Sequence, residues 1–204
     1  QGLNDGINLK QNTVYEIVTI SRIMTNQIDL SLGPLNPAVI AEKVVKNQEE
    51  ALRVRPVRLH FERANWPERM RGDGDLIALL LNNLVSNAIK YTPDGGDVYL
   101  TASSDEQTLR ISVRDTGIGV AKDEQKRIFE RFHTAGDTRL HSTSKTAFRV
   151  GGFGVGIADL KGIVEAHGGN IWVESPGFDP QTCPGSEFIV QIPLSVTQLR
   201  KNKL

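Results

Sequence analysis

The sequence predicts an α/β two-layer sandwich, with helices on one face of a sheet of about five strands and one long helix ahead of it. Five short segments, 57–62, 98–102, 109–113, 171–174 and 187–192, carry strand-like apolar residues, most clearly where Val57, Leu59 and Phe61 alternate with Arg58, His60 and Glu62. The stretches between them have helical period with a single apolar stripe, the signature of helices that cover one side of a sheet. The first 30 residues hold helical period alone.

Taken in order, Ile7, Val14, Ile17, Met24 and Ile28 approximate a heptad seam, and Val18, Ile20 and Ile23 widen the apolar surface to a second face. Such a helix wants helical partners. It reads as one half of a helical hairpin whose other half is missing or comes from another chain; a helix packed on its own domain is the alternative. Ser31-Leu32-Gly33-Pro34 reads as a linker. Asn36 and Pro37 read as an N-cap and first helical position, opening a helix with Val39, Ile40, Val44 and Val45 that runs to about Glu50. After the 57–62 strand, Asp75 is expected to cap a long helix to about Tyr91. The short Asp105-Glu106-Gln107 link makes strands 98–102 and 109–113 a hairpin, and Asp123 starts a short helix through Phe132.

Residues 133–150 are polar and without sustained period, and long loops of that kind are often functional lids. The glycine-rich run 151–156 opens a helix with Ile157, Leu160, Ile163 and Val164 inward and a Gly168-Gly169 stop. Two strands close the domain, with a Pro/Gly-rich loop holding Cys183 between them.

The 204 residues carry 24 basic and 24 acidic side chains, so nothing electrostatic calls for nucleic acid or an acidic membrane surface. At roughly 100–200 residues per domain the chain holds one large domain, or one plus an appendage. The single cysteine excludes an internal disulfide and brings no partners for a zinc site. The longest apolar stretch, Leu76 to Leu81, is far below the ~20 residues of a membrane span, and no basic-then-apolar leader opens the chain. The expectation is a soluble protein, or piece of one, from a reducing compartment.

Three motifs carry chemistry. On the 75–91 helix Asn83, Asn87 and Lys90/Tyr91 recur beside the apolar stripe of Ile77, Leu80, Leu81, Leu84 and Ala88. Two asparagines on one interior face cost about 1 kcal/mol relative to alanine, so something should offset them. A carboxamide oxygen suits Mg²⁺, although a solvated helix face has the same pattern. In Asp115-Thr116-Gly117-Ile118-Gly119 a carboxylate ends a strand, where it can accept from an exocyclic amine while glycines let a flat base approach; an ordinary turn has the same residues. Gly151-Gly152-Phe153-Gly154-Val155-Gly156 precedes a helix, where exposed N–H groups attract phosphate oxygens. It does not follow a strand, which argues against a dinucleotide-binding βαβ unit.

The order of these motifs is specific. The run from Asn83 to Pro93 is followed by Asp115-Thr116-Gly117-Ile118-Gly119, then Ile128-Phe129-Glu130-Arg131-Phe132, then the second glycine box, then His167-Gly168-Gly169. Over about residues 33–194 the chain resembles the catalytic, ATP-binding domain of two-component sensor histidine kinases, and Ser21-Arg22-Ile23 resembles the end of the dimerisation hairpin's second helix. The resemblance implies the mixed, mainly antiparallel Bergerat-type sheet, with the hairpin end at 1–32, the kinase domain at 33–198 and a tail at 199–204. It implies ATP and Mg²⁺ as ligands. Asn87 would hold the metal on the triphosphate and Asn83 support that end; Lys90 would contact phosphate and Tyr91 lie against the nucleotide. Asp115 would select adenine through its amine, with Gly117 and Gly119 making room for the ring. Gly152, Gly154 and Gly156 would meet the phosphates through backbone, next to Val155. Phe129 and Phe132 would anchor a lid, on which Arg139, Lys145 and Arg149 are candidate phosphate contacts. His167 is read as stabilising a helix C-terminus.

Two positions depart from the pattern. Phe153 replaces a small residue, and Val155 replaces leucine; Phe153 alters lid packing or weakens nucleotide affinity. The lid is also longer than is common. Relatives of the same fold (heat-shock chaperones, mismatch-repair ATPases, type II topoisomerases and anti-sigma serine kinases) generally carry a glutamate where this chain has Asn83. A carboxamide is a poor general base, so the site should hold ATP without efficient hydrolysis, as suits a kinase whose nucleophile comes from elsewhere. The four histidines, His60, His133, His141 and His167, are followed by Phe, Thr, Ser and Gly, none of them acidic, so the phosphoacceptor histidine is expected outside this chain. The resemblance thus implies a truncated, cytoplasmic piece of a longer sensor kinase, either free in the cytoplasm or the cytoplasmic part of a membrane-anchored sensor, that cannot phosphorylate itself. Its partners would be the phosphoacceptor hairpin of a homodimer and a response-regulator receiver domain, with no nucleic acid and no direct membrane contact. A degenerate binding module and an ATP hydrolase of the same superfamily remain as alternatives.

Overall fold

In the computed structural model residues 28–130 and 157–195 are described. Along the chain they form β1 (Gly33–Leu35), α1 (Pro37–Asn47), α2 (Glu49–Val54), β2 (Arg58–Phe61), β3 (Met70–Gly72), α3 (Gly74–Tyr91), β4 (Asp97–Ser104), β5 (Thr108–Asp115), α4 (Glu124–Arg127), α5 (Ile157–Ala166), β6 (Asn170–Glu174) and β7 (Ser186–Pro193). The main sheet has the order β2-β4-β5-β7-β6. Only β2 and β4 pair parallel in it; the other neighbours are antiparallel. The expected two-layer sandwich with a mixed, mainly antiparallel sheet is therefore the observed fold.

Strand period explains the layers. Val98 and Leu100 of β4, Leu109, Ile111 and Val113 of β5, Val190 and Ile192 of β7, and Ile171 and Val173 of β6 are all buried. They share one core with Leu160, Ile163 and Val164 of α5 and with α3, whose Leu76, Ile77, Leu80, Leu81, Leu84, Val85, Ala88 and Ile89 are buried. Burying one such large side chain contributes about 1.5–3 kcal/mol. That exceeds the helix-propensity cost of the asparagines on α3, so core packing alone keeps that helix intact.

The opposite sheet face is covered by stacked side chains. The His60 and Tyr99 rings stack with centroids 4.6 Å apart, and the Arg114 guanidinium lies 4.5 Å from the Tyr99 centroid. Arg110 sits 5.2 Å over Trp172, and Ile189 beside it is fully buried. Asp97 takes a two-bond fork from Arg58 at 2.7 and 2.6 Å and pairs with His60 Nε2 at 2.7 Å. These partners, Arg58 first, hold its carboxyl well below the usual carboxylate range.

Several boundaries differ from expectation. The Gly33-Pro34 linker is instead strand β1, which pairs antiparallel with β3 in a separate ribbon. Residues 28–30, expected as the end of the long helix, have no helical structure, and Leu30 is buried in the domain core. The helix expected to reach Glu50 is divided at Gln48, whose side chain turns inward and donates to Asn82 Oδ1 at 2.8 Å. Asp73, rather than Asp75, caps α3: its Oδ1 accepts from Asp75 N at 3.2 Å and Leu76 N at 3.1 Å, and Asp75 lies in the first turn. The short helix from Asp123 ends at Arg127 rather than Phe132. The remainder of the expected long N-terminal helix and the 133–150 lid lie outside the described residues.

The α5 stop is as expected. Gly168 has φ +74°, Gly169 N donates to Val164 O and Gly168 N to Glu165 O, both at 2.9 Å, the bond pair of a Schellman motif. Among the described residues no helix is long and apolar enough to cross a membrane.

Candidate functional site

The register of β5 with β7 sets Ser186 opposite Asp115. Ser186 Oγ donates to Asp115 Oδ2 at 2.6 Å, and Gly117 N donates to Oδ1 at 2.8 Å. Asp115 is 5% exposed, and burial pushes its pKa up, with the Ser186 and Gly117 donors countering part of the rise. The Ser186 and Gly117 donors leave part of the carboxylate's roughly four lone-pair sites for a further hydrogen bond.

The turn after Asp115 is closed on both sides by chain. A Cβ at Gly117 would stand 2.4 Å from Tyr91 O and 2.7 Å from Asp115 Oδ1. Gly119 has φ +75°, and its Cβ would stand 2.0 Å from Gly177 O. Both glycines are thus required by backbone contacts within the protein, a more local reason than clearance for a ring. Ile118 N donates to Tyr91 O at 3.2 Å, which fastens the turn to the end of α3.

That contact sets Tyr91, at the end of the helix that carries the other motif residues, against the turn that follows Asp115. Asn83 and Asn87 are half-buried, one turn apart. Asn83 Nδ2 donates to Leu79 O of its own helix at 2.9 Å. The Asn87 carboxamide takes no hydrogen bond among the described residues, so its oxygen is available to a hard cation or to the waters around one. Lys90 and Tyr91 are exposed, with Lys90 Nζ 5.1 Å from the Tyr91 ring centroid. A neutral oxygen donor, an exposed ammonium and an aromatic face suit Mg²⁺, phosphate and a base respectively.

His167 locks α5 against α3. Its Nε2 accepts from Asp73 N at 3.0 Å and its Nδ1 lies 2.8 Å from Ile163 O. A carbonyl only accepts, so Nδ1 carries the hydrogen, Nε2 is bare and the ring is neutral. Burial, opposed by the Ile163 carbonyl and the nearby Asp73, holds its pKa below the ordinary value. His167 therefore does stabilise a helix C-terminus, through a hydrogen bond rather than a charge on the helix dipole. Phe129 is buried edge-on to Phe188 of β7, with centroids 6.4 Å apart. Phe132, Gly152, Gly154, Val155, Gly156, Arg139, Lys145 and Arg149 lie outside the described residues.

Sequence reasoning missed Ser186 and Ser175. Ser186 becomes visible only once the β5–β7 register is known. Ser175 is buried behind the glycine turn and donates to Gly185 O at 2.7 Å. A cleft of about 410 Å³, lined by Arg114, Lys122, Glu174 and Glu187 among others, lies at this end of the sheet. It shares Asp115 and Ser186 with the site but not the α3 asparagines.

Residues 72–196 match the family described as histidine kinase-, DNA gyrase B-, and HSP90-like ATPase. The sensor histidine kinase WalK of Bacillus subtilis is 39% identical over 116 residues, which cover 54% of this chain and 18% of WalK. The chain thus spans under a fifth of that relative's length. Full-length ShkA, solved in complex with AMPPNP, has a TM-score of 0.69 and 25% identity over 97% of this chain and 38% of that one. The histidine kinase ThkA, solved in complex with the response regulator protein TrrA, has a TM-score of 0.66 and 25% identity over 94% of this chain and 51% of that one.

Proposed function

The chain belongs to the histidine kinase-, DNA gyrase B-, and HSP90-like ATPase family as a sensor-histidine-kinase catalytic domain, and from that premise we propose how it acts. It binds ATP between the end of α3 and the 115–119 turn, and its γ-phosphoryl group passes to a histidine outside this chain. The observation that carries this reading is Asp115, a buried carboxylate held by Ser186 and Gly117 beside the helix that bears Asn87. The adenine amine donates to Asp115. The rings rest against Tyr91 and the glycine turn, and Lys90 meets phosphate.

Asn87 is the residue that would hold Mg²⁺ through its carboxamide oxygen, and the ion, when bound, would supply positive charge against the phosphate oxygens. Asn83, with its amide nitrogen committed to Leu79 O, supports that end and takes no proton. In the transfer an imidazole nitrogen forms its bond to phosphorus as the bond to the departing ADP oxygen breaks, and the ring proton leaves to solvent. The second glycine box, Gly152, Gly154 and Gly156 with Val155, belongs to the phosphate side, together with Arg139, Lys145 and Arg149; Phe129 and Phe132 anchor the lid.

The proposed division keeps the kinase domain to 198 and the tail at 199–204, but ends the hairpin segment before residue 28, because Ile28, Leu30 and Leu32 pack on the domain core. The partners are the phosphoacceptor hairpin of a homodimer and a response-regulator receiver domain, in the cytoplasm; the ThkA–TrrA complex supports the second partner. The test is incubation with Mg²⁺ and γ-labelled ATP, alone and with the phosphoacceptor hairpin of the same kinase. Label on a histidine of the hairpin, and none on this chain alone, is the expected result. Sustained ATP turnover that Asn83→Ala abolishes would replace the kinase reading with a hydrolase.

A further inference from the structure

The connection between β6 and β7 does more than join two strands. Ser175 Oγ accepts from Val120 N at 3.0 Å and Gly177 N at 3.3 Å, and donates to Gly185 O at 2.7 Å. The carbonyl of Ser175 accepts from Lys122 Nζ at 2.6 Å and Gln125 Nε2 at 2.9 Å, which ties the segment after the glycine turn to the same residue. Further along the connection, Asp179 N donates to Ile118 O and Gly185 N to Gly117 O, both at 2.8 Å. Gly119 and Phe178 form an isolated antiparallel bridge.

Every residue from Gly117 to Val120 is therefore engaged by this connection. The connection is itself tied internally: the Asp179 carboxylate accepts from Gln181 N at 2.8 Å, Thr182 N at 3.3 Å and Thr182 Oγ1 at 2.7 Å, and Asp179 O accepts from Cys183 N at 3.0 Å. A hydroxyl has one donor and two acceptor sites, and Ser175 uses all three on backbone. Alanine there would leave Gly185 O without its partner in a buried place and Val120 N without its partner in a half-buried one.

We infer that Ser175 is a positioning residue for base recognition, and that the 175–185 connection is the mould that sets the 117–120 turn, and through it Asp115, for adenine. The inference rests on the proposed ATP site. It assigns adenine selectivity to residues that never touch the base, because the turn has no rigid element of its own on this side.

Two measurements on the full chain test it. The first is affinity for Mg²⁺-AMPPNP against Mg²⁺-GMPPNP, since guanine carries a carbonyl where adenine carries the amine. Ser175→Ala is expected to weaken AMPPNP at least fivefold and GMPPNP little, which shrinks the adenine preference. An equal loss for both, or no loss, overturns the inference. The second is amide hydrogen exchange without nucleotide. Gly117, Ile118 and Val120 are expected to exchange at least tenfold faster in the variant while Ile111 and Val190 are unchanged; a uniform change or none overturns the inference. If the wild-type chain binds neither nucleotide, the ATP reading fails, and the exchange result still decides whether Ser175 sets the turn. Should Ser175→Ala not fold, Asp179→Ala, which removes bonds within the connection and alters no side chain of Ser175 or of the turn, gives the same exchange pattern or overturns the inference.

Discussion

Ser186 donates its hydroxyl hydrogen to Asp115 across the β5–β7 ladder at 2.6 Å, a side-chain bond between strand ends that is itself buried. The carboxylate's pKa is already raised by burial. Removing the donor in Ser186→Ala raises it further and costs about 1–3 kcal/mol of the stabilisation of the ionised form. Nucleotide affinity, which needs the ionised acceptor, is full above that pKa and falls as pH falls through it. Titrations with Mg²⁺-AMPPNP at a series of pH values should show the fall beginning at higher pH in Ser186→Ala than in wild type.

Asp115 also sets a stability prediction of opposite sense. Its folded pKa lies above the unfolded value, so the folded state binds more protons in that window and stability falls as pH rises through it. The amide of Asp115→Asn would carry no charge and would still offer Gly117 N an acceptor. Denaturant unfolding of Asp115→Asn without nucleotide at pH 7 should give a midpoint no lower than wild type, and any advantage should shrink below about pH 4, near the reference carboxylate pKa. A clear loss at pH 7 would mean that the carboxylate stabilises the fold.

His167 titrates the other way. Its folded pKa is depressed, so the unfolded state binds more protons below the reference value of about 6.5. Its contribution is present above that pH and is lost as pH falls through the window beneath it. His167→Ala leaves Asp73 N without its partner, removes one of the two donors to Ile163 O (the backbone N–H of residue 167 remains) and opens a void, at a cost of about 2–5 kcal/mol at pH 7.5. The variant should also lose less stability than wild type between pH 7.5 and 5.5. Parallel slopes in urea unfolding at the two pH values would show that another group carries the dependence.

Asn87→Ala separates metal binding from folding. The side chain is half-buried without a hydrogen bond among the described residues, and alanine is the better helix former by about 0.5 kcal/mol. Unfolding stability should therefore hold or rise slightly. AMPPNP affinity should drop about tenfold or more with Mg²⁺ present and change little in EDTA. Equal loss in both conditions would place Asn87 on the nucleotide rather than on the metal.

Much of this architecture is written in local pattern. The stripe from Ile77 to Ala88 has a period long enough to be read unaided, and Leu109, Ile111 and Val113 alternate cleanly. Asp115 and its glycines stand out because a carboxylate at a strand end and a turn are contiguous. What stayed hidden depends on distant chain. β1 and β3 have three residues each, too few for a period, and exist only as a pair. Asp73 and Asp75 are equally good caps in sequence; the observed choice places the helix start where Asp73 N also meets His167. Ser186 and Ser175 lie 71 and 55 residues from the partners that give them meaning, Asp115 and Val120. Serine in a Pro/Gly-rich connection gives no local sign of either role.

The most direct test of the account is calorimetric titration of the chain with Mg²⁺-AMPPNP, wild type beside Asp115→Asn. An amide at position 115 can turn a donor toward the adenine amine, so the account predicts binding by wild type that weakens at least tenfold in the variant, about 1.4 kcal/mol. Equal binding by the two proteins would contradict adenine recognition at Asp115, and no binding by wild type would contradict the nucleotide site itself.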